Sequence, residues 1–351
     1  MIKNKTIQRA VITACLTLAS ANINATDLVI SSPRSTDITF SGTASHSVDM
    51  NANWIANDPT AVAYISGSAI NFTGDIASGT TFQNTNADGM GFYAPSMTGD
   101  FSLTNNGTML TTDIAVYVPS SAVDDITIIN AAGAAMTTTN TTYSLLYFPI
   151  SGSHDISVTN AGTMTAKDSI LYVPSSGTDV TINNSGTMTL ANDGSSTNEI
   201  MYLIPSTYNV TNSGTMQVTS GKGDGIKLSG GTGTITNTGT ITSLGADKYD
   251  IYTLSGNLTL NNDQGGSDAL TYKGALPTYN IIVNSTSDYG KLAVTSGTGT
   301  LTFGIHATST VVSGHTYASV LSGVSASKLA ATSGTYTQGG VTSGFTLASS
   351  D

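Results

Sequence analysis

Two adjacent carboxylates, Asp124 and Asp125, are the first residues in this chain whose types could do chemistry together. Glycoside hydrolysis uses a pair of Asp or Glu side chains on either side of the scissile bond. A lyase acting on polysaccharides would instead need a basic side chain as general base, and no Lys or Arg occurs between residues 35 and 166. We therefore interpret the pair as loop residues.

Histidines and a glycine–aspartate motif are the other candidates for chemistry. A serine nucleophile needs His and Asp partners, but the four histidines are scattered through the chain and we interpret them as surface or turn residues. They are His46, His154, His306 and His315. The stretch from Gly221 to Ile226 resembles a calcium-binding repeat but occurs once, whereas such sites need neighbouring copies. We expect no catalysis, no metal and no cofactor.

A recurring tyrosine is the candidate binding element. It stands between apolar residues and is followed in most copies by proline, as in Val116-Tyr117-Val118-Pro119. The candidate ligand-binding residues are Tyr93, Tyr117, Tyr147, Tyr172, Tyr202 and Tyr252. Exposed aromatic rings at regular spacing can stack on sugars or anchor a protein partner. The alternative is that the rings stack on one another and shield the strands.

The elements that must position these tyrosines follow from a repeat. A phrase of the form Asn-x-Gly-Thr-Met, with looser copies at Gly133 and Gly239, returns every 24 to 29 residues, with glycines at 107, 133, 162, 186, 214 and 239. The strands keep their length while the intervening gaps vary, and apolar residues alternate with period 2. This combination predicts an all-β, parallel, right-handed β-helix, because each coil needs the same strand register while loops can bulge outwards.

The alternation also assigns the faces. We expect Val116 and Val118 to point into the core and Tyr117 to point outwards, and we expect methionine rather than threonine of the Thr-Met pairs to be core. The prolines should end the strands. In five copies an asparagine stands two before the glycine, and we expect it to adopt the left-handed αL conformation and to bond the asparagine above it, while the glycine supplies an unusual backbone angle. These asparagines are Asn105, Asn160, Asn184, Asn212 and Asn237.

Three segments divide the chain. Residues 1–25 have the basic start, short apolar run and small residues of a signal peptide, with cleavage after Ala21 or Ala25. The only cysteine, Cys15, lies within this segment in a lipobox-like context, which leaves lipoprotein processing as an alternative. Residues 26–285 carry the repeats, and residues 286–351 are predicted to form a different, antiparallel β unit that caps the coil.

The net charge of the chain limits the classes of partner that it can bind. The formal net charge is −11, and charged residues make up only 9% of the chain. Nucleic-acid binding needs a basic footprint, so we exclude it, and contact with anionic lipid is disfavoured for the same reason. A glycan or a host surface protein remains as the expected partner, and we expect a monomer.

The phrase from Ile235 to Ser243, together with the stretches from Tyr289 to Val294 and from Gly314 to Tyr317, resembles the passenger domains of bacterial autotransporters. This resemblance implies a β-helix with a distal segment that helps it to fold, displayed at the outer membrane or cell surface. The family also carries a translocating barrel, and this sequence has no such stretch of strands. An outer-membrane translocator supplied elsewhere would then be a partner.

These observations predict a secreted or cell-surface passenger-like repeat protein that acts as an adhesive or structural rod. It would be exported through the inner membrane by its signal peptide and reach the cell surface, the medium or the periplasm. The alternatives are a polysaccharide-degrading enzyme on the same scaffold and a truncated autotransporter fragment without independent function.

Overall fold

The computed structural model describes residues 10–12, 21–23, 27–66, 71–120, 122–191, 198–219, 222–245, 247–266 and 268–348. The chain divides into an N-terminal unit, Met1–Thr178, and a C-terminal unit, Asp179–Asp351. Most of the predicted signal peptide lies outside the described residues. Among the described residues, no helix is long and apolar enough to cross a membrane.

Strands account for almost all of the regular structure of the N-terminal unit. In chain order they are β1 (Ala10–Ile12), β2 (Ala21–Ile23), β3 (Asp27–Ile30), β4 (Ile38–Phe40), β5 (His46–Met50), β6 (Trp54–Ala56), β7 (Ala61–Ile65), β8 (Phe72–Ile76), β9 (Thr81–Asn84), β10 (Met90–Tyr93), β11 (Phe101–Asn105), β12 (Thr108–Thr111), β13 (Val116–Tyr117), β14 (Ile126–Asn130), β15 (Ala135–Thr138), β16 (Leu146–Tyr147), β17 (Asp155–Asn160), β18 (Thr163–Ala166) and β19 (Leu171–Val173).

The C-terminal unit continues with the same kind of element. Its strands are β20 (Asp179–Asn184), β21 (Thr187–Leu190), β22 (Glu199–Leu203), β23 (Thr207–Asn212), β24 (Thr215–Val218), β25 (Asp224–Asn237), β26 (Thr240–Ser243), β27 (Ile251–Asn262), β28 (Leu270–Ala275), β29 (Thr278–Ile281), β30 (Leu292–Thr298), β31 (Thr302–Ile305), β32 (Leu321–Ser322), β33 (Ser333–Gln338) and β34 (Val341–Thr346). A short 3₁₀ turn spans Ala326–Lys328.

Parallel ladders make each unit a β-solenoid with three faces, which confirms the predicted all-β, parallel β-helical architecture. In the N-terminal unit the tyrosine face is the ladder β4–β7–β10–β13–β16–β19. The asparagine face is β3–β5–β8–β11–β14–β17, and the methionine face is β6–β9–β12–β15–β18. Along the chain, each coil contributes one strand to the tyrosine face, then one to the asparagine face and then one to the methionine face.

The C-terminal unit repeats this arrangement. Its tyrosine face runs β22–β25–β27–β28–β30–β32, its asparagine face β20–β23–β25–β27–β29–β31, and its methionine face β21–β24–β26. The two long strands β25 and β27 bend from the first of these faces into the second, with register shifts near Ser229.

The core lies inside the coil and has the composition that the alternation predicted. Val116 and Val118 are fully buried on either side of half-buried Tyr117. The repeated methionines are also buried, which confirms methionine over threonine as the core residue of the Thr-Met pairs. These methionines are Met109, Met136, Met164, Met188 and Met216. Pro119 and Pro149 each lie just beyond the end of a strand, as expected for residues that lack a ladder donor.

A column of buried asparagines lies at the end of each asparagine-face strand. The Asn105 amide donates to Oδ1 of Asn130 at 2.8 Å, and Asn130 donates to Asn160 at 2.7 Å. In the C-terminal unit the column runs through Asn184, Asn212, Asn237 and Asn262 with donor–acceptor distances of 2.8 to 3.0 Å. The predicted bonding between neighbouring asparagines is therefore confirmed.

The predicted backbone conformations at this turn are wrong for the asparagines and for most of the repeat glycines, but the predicted glycine angle is confirmed at Gly133. Described non-glycine residues with positive φ are Asp247 and Ser319, so the column asparagines are not in the left-handed region. Of the repeat glycines, Gly133 has a positive φ of 81°. At Gly107, Gly162 and Gly239 the constraint is instead space, because an added Cβ would lie well under 3.0 Å from a carbonyl oxygen of the preceding coil.

The predicted boundary at residue 286 needs correction. Strands β30 and β31 still pair in parallel with β28 and β29, and β32 pairs in parallel with β30. Among the strands of the described ranges, antiparallel pairing occurs in the hairpin β33–β34, and isolated antiparallel bridges join Gly265 to Gly290 and Val283 to Tyr289. Phe345 of this hairpin packs against Phe303, which in turn packs against Tyr279 of the core, with ring centroids 5.5 and 5.8 Å apart.

Candidate functional site

The tyrosines of the N-terminal unit form one continuous column on the tyrosine face. Consecutive members occupy the same register position on neighbouring strands; they are Tyr64, Tyr93, Tyr117, Tyr147 and Tyr172. Ring centroids lie 5.2 Å apart for Tyr93–Tyr117 and 5.1 Å apart for Tyr117–Tyr147, with interplanar angles of 5° and 7°. The rings from Tyr93 to Tyr172 are therefore stacked face to face along the ladder, whereas the Tyr64 ring is tilted by 54° relative to Tyr93.

Because the rings are stacked, only part of each ring is exposed for contact with a ligand. The side chains from Tyr64 to Tyr172 are half-buried, and a ring inside the column has a neighbouring ring on each face. Burial raises the pKa of Tyr117, and the neighbouring Tyr147 and Tyr93 raise it further. What remains for contact is a row of ring edges and uncharged hydroxyl groups, rather than the flat ring faces on which sugars stack.

The tyrosine face of the C-terminal unit carries a column of mixed residues. Tyr202, Lys227, Tyr252 and Lys273 follow one another on neighbouring strands. The Lys227 ammonium lies 5.0 Å from the centre of the Tyr202 ring, and the Lys273 ammonium lies 5.2 Å from that of Tyr252. Lys273 also contacts Tyr249 at 4.9 Å. Cations over aromatic faces here replace the ring-on-ring contacts of the first unit.

Glu199 completes the cluster around Lys227. Its Oε1 lies 2.6 Å from Lys227 Nζ, and the two side chains are 9% and 24% exposed. Burial raises the pKa of Glu199, and the hydrogen bond and charge of Lys227 oppose that shift. Burial disfavours the charge on Lys227, but the hydrogen bond and charge of Glu199 raise its pKa overall. The pair holds two neighbouring coils together.

Two buried aspartates lie on the same side of the C-terminal unit. Asp224 accepts a hydrogen bond from the Tyr249 N–H at 2.9 Å. Asp250 accepts bonds from the N–H groups of Ser243 at 2.7 Å and Thr271 at 2.8 Å. Burial raises the pKa of Asp250 to about 6, although both backbone donors lower it. Asp224 belongs to the single glycine–aspartate motif, and it serves here to join successive coils.

The remaining candidates for chemistry do not converge. Asp124 and Asp125 are exposed residues just before β14, and Asp125 Oδ1 accepts the Asp155 N–H at 3.1 Å. His154 lies beside the backbone oxygen of Asp124, at 3.1 Å. Within the described ranges, no group of three or more His, Cys, Asp and Glu side chains is arranged to hold a metal ion.

Sequence reasoning found the tyrosine column and missed the ion-pair cluster. Tyr93, Tyr117, Tyr147 and Tyr172 lie together in one unit, and Tyr202 and Tyr252 lie together in the other. Lys227 and Lys273 share the tyrosine register, so the same repeat alignment contained the signal for that cluster. Comparison with family models, with curated proteins and with solved structures gave no match for this chain.

Proposed function

We propose that this chain is an exported, surface-displayed β-solenoid of the autotransporter passenger type, with a structural or adhesive role. The observation that supports this proposal best is the in-register column of tyrosines, which repeats one outward pattern from coil to coil, while the buried asparagine column bonds neighbouring coils together. Such a scaffold is stiff, because each coil is bonded to its neighbours, and it presents many copies of a weak contact. The signal-peptide features of residues 1–25 support export.

The adhesive surface in this proposal is the tyrosine column of the N-terminal unit. Its hydroxyl groups and ring edges recur every 5.1 to 5.3 Å along the ladder. An extended glycan or protein strand lying along the column could form one hydrogen bond per coil and cover the ring edges. The lack of Lys and Arg between residues 35 and 166 favours a neutral or cationic partner over an acidic one.

The test is binding of the mature chain to an array of glycans and extracellular matrix proteins. A variant with Tyr93→Phe, Tyr117→Phe and Tyr147→Phe keeps the stacked rings and removes three hydroxyl groups. Tyr336→Phe, at a half-buried tyrosine of the β33–β34 hairpin, is the matched control.

We expect the wild type and the control to bind and the triple variant to lose at least about tenfold in affinity, as for hydrogen bonds whose partners are left unpaired. Equal binding by all three proteins would move the contact away from the tyrosine column. Absence of binding by the wild type would leave only the structural role.

A further inference from the structure

The asparagine face of the C-terminal unit presents an ordered, nearly uncharged lattice of threonine and asparagine. Residues that alternate with the core residues stand in register on neighbouring strands and form three parallel columns, and all of them except the buried Asn261 are exposed or half-buried. The first column is Asp179, Thr207, Thr232 and Asn257; the second is Thr181, Asn209, Thr234, Thr259, Thr278 and Thr302; the third is Asn183, Thr211, Thr236, Asn261, Asn280 and Gly304. All of these residues except Asp179 and Gly304 are Thr or Asn.

The backbone and the neighbouring side chains hold this lattice in place. Ile235 and Leu260, which alternate with the outward residues, are fully buried. The Asn261 amide donates to Thr236 Oγ1 at 3.0 Å, and the Asn280 amide donates to Asn261 Oδ1 at 2.9 Å. Threonine is β-branched and has few rotamers, so its hydroxyl and methyl groups take defined positions on a strand.

The dimensions of the lattice are those of a parallel sheet. Neighbouring coils place equivalent groups about 4.8 Å apart, and residues i and i+2 of one strand lie about 6.6 Å apart. An array with these repeats fits a partner that is itself periodic in two dimensions. A single flexible ligand would use only a few of its positions.

The near absence of charge on this face indicates which kind of periodic partner it could bind. The chain as a whole carries a formal net charge of −11, but one charged side chain, Asp179, stands in this array, at its edge. An uncharged face on an acidic protein complements an uncharged partner. None of the array residues is aromatic, so the array offers no ring on which a sugar could stack.

We propose that this face binds the surface of ice crystals. Hexagonal ice is uncharged, and its surface repeats are on the length scale of this lattice. Threonine hydroxyl and asparagine amide groups can anchor water molecules at those repeats, while the threonine methyl groups limit competing contacts with liquid water. This face differs from the tyrosine face, so the inference does not depend on the proposed adhesive role.

The experiment measures thermal hysteresis, inhibition of ice recrystallisation and partitioning into a growing ice hemisphere for the purified mature chain. The array variant is Thr234→Lys with Thr259→Lys, which puts two long charged side chains on adjacent coils of the middle column. Thr187→Lys with Thr215→Lys places the same change at half-buried register partners on adjacent coils of the methionine face of this unit. Circular dichroism melting establishes that all three proteins are folded.

We expect the wild type and the methionine-face variant to shape ice crystals and partition into ice, and the array variant to lose at least tenfold of this activity. A wild type without effect on ice would overturn the proposal. So would equal activity in the array variant, or binding confined to crystalline cellulose or chitin included as comparison solids.

Discussion

The side-chain amide of Asn212 donates a hydrogen bond to Oδ1 of Asn237 at 2.8 Å, and both side chains are buried. The same Asn212 amide also reaches the backbone oxygens of Gly214 and Thr240 at 3.3 and 3.2 Å. Each asparagine of the column thus forms hydrogen bonds both within its own turn and to the next coil. Removing one member leaves an acceptor or donor of its neighbours buried without a partner.

The first prediction concerns this column. Asn212→Ala should lower the free energy of unfolding by about 2–4 kcal/mol, because it combines lost hydrogen bonds with an unsatisfied buried acceptor. Asn209→Ala, at an exposed position three residues earlier on the same strand, should change it by less than about 0.5 kcal/mol. Urea melts of the three proteins measure both values. If both variants lost the same free energy of unfolding, the hydrogen bonds of the column would contribute no stability beyond that of any asparagine on this strand.

A second prediction concerns the close approach at the turn. An added Cβ at Gly239 would overlap the carbonyl oxygen of Gly214, so Gly239→Ala should cost at least about 2–3 kcal/mol as the coils are forced apart. Gly344 in the hairpin has 3.8 Å to its nearest contact for a Cβ, so Gly344→Ala is the control and should be close to neutral. A neutral result for Gly239→Ala in thermal melts would contradict the steric account of this glycine.

The third prediction concerns the ion pair of Lys227 and Glu199. Lys227→Met should destabilise the protein by about 2–3 kcal/mol, because it leaves a buried carboxylate without its partner. Adding Glu199→Gln to Lys227→Met should restore most of that loss, since the uncompensated charge is removed. The double-mutant cycle in urea measures the coupling directly. Additive effects of the two changes would mean that the pair is not coupled.

The fourth prediction is a pH dependence from Asp250. The pKa of this carboxyl is raised from 3.8 to about 6 in the folded protein, so between these values the folded state holds a proton that the unfolded chain has released. Its contribution favours folding at low pH and is lost as the pH rises through about 6. Because the pKa of Asp250 rises from 3.8 to about 6 on folding, the free energy of unfolding falls by about 3 kcal/mol across this pH range.

Asp250→Asn should therefore remove this slope. The measurement is the difference in unfolding free energy between wild type and variant at intervals from pH 4 to pH 7.5. Taking the difference also removes the similar contribution expected from Asp113, whose pKa burial also raises to about 6. A difference that stays constant across this range would contradict the assignment.

Alternation and repeat length were sufficient to predict the fold and the inward and outward residues. Val116, Tyr117 and Val118 illustrate this, because period 2 on a strand places the outer two on one side. Alternation does not reveal the partner of a strand, and so the stretch from Leu292 to Val294 was misread. Its pattern is compatible with parallel and antiparallel pairing alike, and the structure pairs it in parallel with β28.

The glycines and tyrosines show a second limit of prediction from sequence, which concerns contacts between coils. A local motif can indicate that a residue needs glycine, but Gly239 is constrained by the backbone of a coil formed about 25 residues earlier. Likewise, an outward tyrosine can be predicted from Val116 and Val118, whereas the 5° angle between Tyr93 and Tyr117 depends on the spacing of two coils. Contacts between coils were therefore beyond what single-coil patterns could predict.

The asparagine column also makes the chain length adjustable in whole repeats. Asn212 and Asn237 are 25 residues apart and end equivalent strands, and Asn237 in turn donates to Asn262 at 3.0 Å. Excision of residues 213–237 would join Asn212 to Thr238 and bring its amide opposite Asn262, with every register position preserved. Duplication or loss of one repeat in the gene is therefore a small structural event, and chains of this design can lengthen or shorten by recombination without redesign of the core.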